Sequence, residues 1–199
     1  MRIIAGRFKG RTLLTPTWEG LRPTSDRLRE TLFNVLSGAV PGARVLDVYA
    51  GTGAVGLEAL SRGAASVTFV EQDRRAVALI RQNLARCAVT EGCVIVARDA
   101  AEALRPGHLD RFDIVFLDPP YSAATRDAVV QLASVHLAEA GVLVLEHGSR
   151  DAPPPAAGSL TLTRTLRQGD SSLGFYRPTA AAVVAPTADS NATDNGGRR

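Results

Sequence analysis

Three glycines at fixed spacing follow the first strongly apolar run of the chain. Gly51, Gly53 and Gly56 satisfy the pattern G-x-G-x-x-G, with Thr52 between the first two, and a helical pattern begins directly after them. Glu71 stands 20 positions after Gly51, at the end of the next apolar run. A glycine turn at a helix N-terminus can receive a cofactor, and an acid at this distance binds ribose hydroxyls. The pattern predicts that these five residues bind a cofactor that contains adenosine.

Asp47 distinguishes between the adenosine cofactors. It lies inside the first predicted strand, four residues before Gly51, where a dinucleotide site would keep an apolar residue because the phosphates are anionic. A carboxylate at this position favours a ligand that carries an ammonium and a sulfonium group. We therefore predict that Asp47 contributes to a site for S-adenosylmethionine. The alternative is a buried acid that is hydrogen-bonded to backbone amides and has no ligand.

A rigid corner rich in acceptors follows the fourth predicted strand, in the sequence Asp118-Pro119-Pro120-Tyr121. The two prolines fix the chain direction and remove two backbone N–H donors. If the Asp118 carboxylate and the Pro119 carbonyl accept both N–H groups of a base amine, the nitrogen lone pair can point at a sulfonium methyl group. Tyr121 would stack on that base. We predict that these four residues are catalytic; a strand-ending turn capped by Asp118 is the structural alternative.

Apolar runs and helical patterns alternate between these motifs, which predicts the elements that position them. Residues 160–163 and 172–176 indicate an antiparallel pair at one edge of a sheet, and the proline-rich residues 151–158 indicate a connection rather than an element. Together with the parallel strands, this predicts a doubly wound, mostly parallel α/β sheet of seven strands, which binds ligands at the carboxyl ends of its strands. Five runs indicate parallel strands buried on both faces: residues 45–48, 67–70, 94–97, 114–117 and 142–145.

The positive charge of the chain is concentrated near its amino terminus. The 199 residues carry 23 basic and 20 acidic side chains, but residues 1–44 alone carry eight basic and three acidic ones. The pattern predicts a β-hairpin with its turn at residues 6–10, then a helix over 26–36 with Thr24 or Ser25 as its N-cap. Because basic surfaces contact phosphates, we predict four residues to bind RNA: Arg7, Lys9, Arg11 and Arg22.

Arg27 and Arg29 have a second interpretation, since they could pair with Asp26 and Glu30 on the helix instead of contacting RNA. By charge and pattern we divide the chain into three parts. They are a basic hairpin and helix for RNA docking (residues 1–44), a cofactor-binding catalytic domain (45–177) and a disordered polar tail (178–199).

Composition excludes several other classes of protein. Two cysteines, Cys87 and Cys93, are too few for a disulfide framework or a four-ligand zinc site, and the histidines have no metal-ligand spacing, so we expect no metal. No stretch reaches the ~18 apolar residues that a membrane span needs. The basic start has no apolar run of the kind found in a secretory signal. We therefore expect a cytoplasmic protein that does not bind a membrane, and we expect a monomer.

The order of these motifs, with Arg98-Asp99-Ala100 between Glu71 and Asp118, resembles that of class I S-adenosylmethionine-dependent methyltransferases that act on base amines. Three further blocks are similar to the RsmD-type 16S rRNA guanine-N2 methyltransferases, and this resemblance implies the activity that is named for guanine 966. They are RIIAGRFKGR (residues 2–11), RPTSDRLRETLFNVL (22–36) and GDSSLGFY (169–176). The resemblance covers about residues 1–177.

The resemblance implies a role for each motif. The glycine loop and Asp47 would line the methionine end of S-adenosylmethionine, Glu71 would bind its ribose, and Asp99 with Ala100 would border its adenine. Residues 118–121 would hold a guanine, and the substrate would be 16S rRNA or an assembly particle of the small ribosomal subunit.

Three other functions remain open at this point. Methylation of adenine N6 or cytosine N4 would use the same acidic corner. A nicotinamide-dependent oxidoreductase would use the same glycines and Glu71. A non-catalytic RNA-binding domain would explain the basic segment alone.

Overall fold

The computed structural model describes residues 1–18, 24–120 and 123–179. Its elements alternate as predicted, with five helices and eight strands in the part of the chain described. The helices are α1 (Asp26–Val35), α2 (Ala54–Ser61), α3 (Arg74–Arg86), α4 (Ala100–Ala103) and α5 (Ala123–Ser134). The strands are β1 (Arg44–Val48), β2 (Ser66–Val70), β3 (Cys93–Val96), β4 (Phe112–Leu117), β5 (Leu137–Gly148), β6 (Ala156–Ala157), β7 (Leu160–Gln168) and β8 (Ser171–Pro178).

All eight strands form one sheet in the order β3-β2-β1-β4-β5-β8-β7-β6. Strands β1 to β5 are parallel to one another. Beyond β5, strands β8, β7 and β6 each pair antiparallel with the strand before them in this order. The chain order reverses direction between β1 and β4. In open α/β sheets the ligand binds outside the carboxyl ends of the strands at such a point.

The predicted count of seven strands is wrong, because part of the predicted connection at residues 151–158 is a strand. The three prolines end at Pro155, and Ala156 and Ala157, which retain their N–H groups, pair with β7. Gly158 has a φ of +58°, a conformation that glycine adopts without strain, and this permits the tight turn from β6 into β7.

The predicted amino-terminal hairpin forms only in part. Within residues 1–18 the chain turns back on itself, but a single bridge, between Arg2 and Thr12, joins its two arms and neither arm is a strand. The reason is that several of its backbone N–H groups are directed to α2 instead. Those of Ile4 and Ala5 donate to the Glu58 carboxylate at 2.8 and 3.0 Å, and that of Phe8 donates to Ser61 Oγ at 2.9 Å.

Helix α1 confirms the predicted helix, and Ser25 is its N-cap. The Ser25 hydroxyl accepts a hydrogen bond from the Leu28 N–H at 3.2 Å. The apolar face of the helix, formed by Leu28, Leu32 and Phe33, is buried in the same core as Ile3, Phe8 and Leu13. The basic amino-terminal segment is therefore packed on the sheet through the core that it shares with α2.

Alternation along β1 places Asp47 on a defined face of the sheet. Val45 contributes to the core beneath α1, α2 and α3, whereas Leu46 and Val48 contribute to the core beneath α4 and α5. Successive side chains of a strand point to opposite faces, so Asp47 shares the face of Val45 and points toward α2. None of the helices in the described ranges is long and apolar enough to cross a bilayer.

Candidate active site

The glycine loop connects β1 to α2 through residues with left-handed backbone. Tyr49, Gly51 and Gly53 have φ values of 62°, 55° and 74°, and Gly53 is the N-cap of α2 without a side-chain cap of its own. Only glycine adopts this conformation without strain, which accounts for Gly51 and Gly53. The loop therefore starts α2 at the carboxyl end of β1, with the Gly51 N–H donating to Glu71 Oε2 at 2.9 Å and the Gly53 N–H to the Ala50 carbonyl at 2.7 Å.

Gly56 serves a different purpose, because it lies inside the fold. A Cβ atom at this position would be 2.3 Å from Phe69 Cε1 and 2.7 Å from Val67 Cγ1, so only glycine lets α2 approach β2 this closely. Its N–H donates to Asp47 Oδ2 at 2.9 Å. Gly56 thus contributes to the predicted cofactor site through packing and through Asp47.

Asp47 is buried, with 1% of its surface exposed. Burial raises its pKa to about 8, the negative charge of Glu71 adds to the rise, and the hydrogen bond from Gly56 opposes it. A carboxylate in this position is stabilised by a neighbouring cation. The ammonium group of S-adenosylmethionine fits that requirement, whereas an anionic pyrophosphate does not.

Glu71 joins the end of β2 to the glycine loop. Its Oε2 accepts from the Gly51 N–H and its Oε1 from the Asp73 N–H, both at 2.9 Å. Each carboxylate oxygen has two lone pairs, so the side chain can also accept hydrogen bonds from two hydroxyl groups. Glu71 is therefore oriented toward the loop in a way compatible with the predicted ribose contact.

Asp99 and Ala100 lie at the start of α4, beyond β3. Asp99 caps this helix by accepting from the N–H groups of Ala101 and Glu102 at 2.9 and 3.3 Å, and Ala100 is buried. They lie two strands away from β1 on the same edge of the sheet. Burial and, to a lesser degree, the charge of Asp99 raise the pKa of Tyr49, so Asp99 is close to the loop.

Asp118 lies beside the end of β1, where the glycine loop begins. Strands β1 and β4 pair with Val48 beside Leu117, and the Asp118 N–H donates to the Val48 carbonyl at 3.4 Å. Burial and the charges of Glu146 and Asp47 raise the pKa of Asp118 well above its ordinary value. Asp118, Asp47, Gly51 and Thr52 line one cleft.

The remaining members of the predicted corner differ in their exposure. Pro119 is buried and Pro120 is exposed, and both line a second small cavity beside this cleft. Tyr121 lies outside the described residues. The structure therefore places three of the four predicted catalytic residues at one corner, at the carboxyl end of β4.

Three residues of this region were missed by sequence reasoning. Thr24 and Tyr49 line the cleft, and Glu146 is close enough to Asp118 to raise its pKa. Glu146 carries a signal that could have been used, since it directly follows the apolar run 142–145, as Glu71 and Asp118 follow theirs. Thr24 comes from the amino-terminal segment, and nothing in its local sequence indicates that it reaches the cleft.

The predicted RNA-binding residues lie on the surface beside this core. Arg7, Lys9 and Arg11 are exposed. The guanidinium of Arg7 lies 4.5 Å from the centre of the Phe8 ring, and that of Arg11 donates to the Arg86 carbonyl at 2.7 Å. Arg22 lies outside the described residues.

Arg29 forms ion pairs inside the protein, as the alternative to RNA contact predicts. It is fully buried and pairs with Asp26 at 2.6 Å and with Glu58 at 3.5 Å. Arg27, by contrast, is exposed and lines a surface cleft together with Arg2 and Lys9.

A parallel sheet with a glycine loop after β1, an acid after β2 and an Asp-Pro-Pro corner after β4 defines a class I methyltransferase. Similar proteins agree: a solved Escherichia coli structure named as a methyltransferase is 35% identical, covers 91% of this chain and 99% of its own, and superposes with a TM-score of 0.80. The chain belongs to the family described as Conserved hypothetical protein 95, whose model matches residues 1–177, and it is a methyltransferase of the RsmD type.

Two curated relatives bear the name Ribosomal RNA small subunit methyltransferase D. The one from Escherichia coli strain K12 is 35% identical over 179 residues, covering 89% of each chain. The one from Haemophilus influenzae is 35% identical over 180 residues, covering 89% of this chain and 93% of its own. The resemblance stated from the sequence is confirmed, and these relatives give no support to the oxidoreductase and non-catalytic interpretations.

Among residues 1–18, 24–120 and 123–179, no group of three or more histidine, cysteine, aspartate or glutamate side chains could hold a metal ion.

Proposed function

We propose that the protein transfers a methyl group from S-adenosylmethionine to the exocyclic N2 amine of a guanine in 16S rRNA, the guanine 966 type of activity. The observation that carries the proposal is the position of the Asp118 carboxyl across a single cleft from the glycine loop and Asp47. Methyl donor and amine would meet in that cleft. The names of the relatives support ribosomal RNA as the substrate.

The residues of the cleft fit S-adenosylmethionine. The buried Asp47 carboxyl group, whose pKa is raised to about 8, would ionise beside the ammonium group, the glycines of the loop leave room for the methionine part, and Glu71 offers acceptors to the ribose hydroxyls. Asp99 and Ala100 border the adenine. The cofactor supplies an electrophilic methyl group on a sulfonium.

Asp118 and Pro119 orient the amine. The Asp118 carboxylate and the Pro119 carbonyl accept its two N–H groups, so that the nitrogen lone pair points away from both acceptors and toward the methyl group. Attack of the nitrogen on the methyl group would release the donor as the thioether S-adenosylhomocysteine, and the methylated nitrogen would pass its extra proton to the Asp118 carboxylate or to water. Catalysis by these groups is mainly positioning, for which a rigid proline corner is suited. Tyr121 stacks on the guanine.

The amino-terminal segment docks the RNA. Exposed Arg7, Lys9 and Arg11, with Arg22, contact phosphates, while residues 45–177 carry the cofactor and the acidic corner. The predicted tail boundary at residue 178 is too early, because Pro178 is the last residue of β8 and the Thr179 N–H donates to the Ser159 carbonyl at 2.7 Å; residues 180–199 lie outside the described part. The substrate, 16S rRNA or a particle that contains it, places the protein in the cytoplasm, where it acts as a monomer without a membrane partner.

Substitution of Asp118 tests the proposal. D118A should abolish methyl transfer to unmodified small-subunit RNA, while calorimetry shows S-adenosylhomocysteine binding close to that of the wild type. Full retained activity of D118A contradicts the proposed role. Transfer of the methyl group to adenine or cytosine would favour the alternative substrates.

A further inference from the structure

Glu146 occupies the position beside Asp118 on the neighbouring strand. Strands β4 and β5 are parallel and pair Leu117 with Leu145, so the next residue of each strand is a carboxylic acid at the same edge of the sheet. The proximity is electrostatically significant, because the charge of Glu146 helps to raise the pKa of Asp118. Besides Asp47 and Asp118, the site therefore contains a further carboxyl group, which the proposed mechanism does not use.

The two oxygens of the Glu146 carboxyl group differ in their hydrogen bonding. The side chain is 8% exposed, and its Oε1 accepts from the Ser171 hydroxyl at 3.1 Å. Its Oε2 is buried and has no hydrogen-bond partner within the described ranges. A buried polar atom without a partner is costly, and its persistence calls for an explanation such as a ligand.

The surroundings of Glu146 indicate where such a ligand would lie. The residue shares a small cavity with Pro119 and Pro120, the two prolines of the corner. Thr24, whose hydroxyl lowers the pKa of Glu146 as a hydrogen-bond donor to its carboxyl group, also lines the cleft that contains Asp118. Glu146 is therefore close both to the proline corner and to two residues of the cleft, Asp118 and Thr24.

We propose that Glu146 accepts the ring N1–H of the target guanine and so selects guanine over other bases. The inference rests on the proposed function. Guanine presents its N1–H directly beside the N2 amine, so two adjacent carboxyl groups match two adjacent donor positions. Adenine has an unprotonated N1, whose lone pair would face the Glu146 carboxylate without a hydrogen to share. A well-made contact of this kind discriminates by about 10- to 100-fold.

The electrostatics of the acid pair agree with this arrangement. Burial raises the pKa of Glu146, and the hydroxyl groups of Ser171 and Thr24 oppose the rise. Two neighbouring carboxylates repel each other in a buried site. A base that donates one N–H to each of them would stabilise both negative charges, which an acceptor edge could not do.

A synthetic RNA with one methylation site tests the inference. The target position holds either guanine or 2-aminopurine, which retains the 2-amino group but has no N1–H. Wild-type protein should methylate guanine about 10- to 100-fold faster than 2-aminopurine. E146Q should lose that preference, because the amide of glutamine can donate to the bare N1. E139Q, an exposed residue on the same strand, is the matched control and should keep it.

The outcomes separate the inference from the function on which it rests. Wild-type protein that methylates 2-aminopurine as fast as guanine overturns the inference, and this result does not depend on whether any variant folds. An E146Q protein that binds S-adenosylhomocysteine normally and still prefers guanine over 2-aminopurine as strongly as the wild type also overturns the inference. If the wild type instead methylates neither substituted RNA nor natural 16S rRNA at guanine N2, the proposed function itself has failed.

Discussion

Three acidic residues give this fold its candidate chemistry. Asp47, Asp118 and Glu146 come from three adjacent strands, β1, β4 and β5, and all three have raised pKa values in which burial is the largest cause. A core made only for stability would not keep three acids at one edge of its sheet. The unfavourable placement of the acids is therefore best explained by a cationic cofactor and a substrate rich in N–H donors.

The pH dependence of stability should reveal the state of Asp47. Its pKa is about 8 in the folded protein and near 3.8 in the unfolded chain, so the folded state binds the proton more tightly. Its contribution to the free energy of unfolding is present below about pH 4 and is lost as the pH rises through about 8. Without cofactor, D47N should therefore lose less stability than the wild type between about pH 6 and about pH 9, measured by urea denaturation.

The same variant should bind S-adenosylmethionine more weakly, because asparagine offers no charge to the ammonium group. An identical pH dependence in D47N and wild type would contradict the buried, protonated state of Asp47. Unchanged cofactor affinity would contradict its proposed role.

Gly56 should be intolerant of even one methyl group. G56A places a Cβ atom 2.3 Å from Phe69 Cε1, between α2 and β2, and should lower the free energy of unfolding by about 1–3 kcal/mol. Gly38, whose added Cβ would meet no atom within 4 Å, provides the control, and G38A should be nearly neutral. Equal urea midpoints for the two variants would contradict the packing role of Gly56.

At the scale of elements, α3 links the amino-terminal segment to the glycine loop. Buried Asn83 accepts from the Leu14 N–H at 2.7 Å and donates to the carbonyls of Leu14 and Thr52 at 3.2 and 3.0 Å. One amide thus holds both the segment proposed to dock RNA and the loop proposed to bind the cofactor. The two parts that sequence analysis separates by charge are joined here by direct hydrogen bonds.

Removal of that amide should affect stability and cofactor binding together. N83A leaves backbone groups of Leu14 and Thr52 without their partner, which should cost about 1–3 kcal/mol and weaken S-adenosylhomocysteine binding. Exposed Gln82 on the same helix is the control. Calorimetry and urea denaturation of N83A and Q82A measure both effects. Weakened stability with wild-type cofactor affinity would show that Thr52 does not need Asn83.

Local sequence signals are enough to predict the parallel strands, α1, and the positions of the glycine loop and the acidic corner. Apolar runs, an N-cap and two prolines are visible within a few residues. The amino-terminal arms and Glu146 could not be predicted in the same way. Glu58 and Ser61 divert the backbone N–H groups of the first arm across more than 50 positions, and Glu146 meets Asp118 only through strand pairing.

At the scale of the whole molecule, charge is divided between a basic segment and a more acidic catalytic part. Residues 1–44 carry eight of the 23 basic side chains. Arg29 is one of them, but it is buried in ion pairs with Asp26 and Glu58 and does not contribute to the basic surface. Arg7 and Lys9 are exposed on the segment whose apolar residues share a core with α1 and α2. A basic surface next to a cofactor cleft is the arrangement expected for an RNA-modifying enzyme.

Neutralising that surface should weaken RNA binding without affecting the cofactor. R7A and K9A should each lower affinity for 16S rRNA and reduce the slope of log affinity against log salt by about 1. Arg105 is exposed beyond α4, which covers the opposite face, so R105A is the control. A salt titration of RNA binding measures the slopes. Equal slopes for K9A, R105A and wild type would contradict the docking role.

Nucleoside mass spectrometry can detect methyl transfer to guanine N2 in small-subunit RNA. Unmodified 30S particles and free 16S rRNA are incubated with the protein and S-adenosylmethionine carrying a labelled methyl group, then digested to nucleosides. We expect labelled N2-methylguanosine with the wild type and none with D118A. Label in another nucleoside, or none in either substrate, would contradict the proposed function.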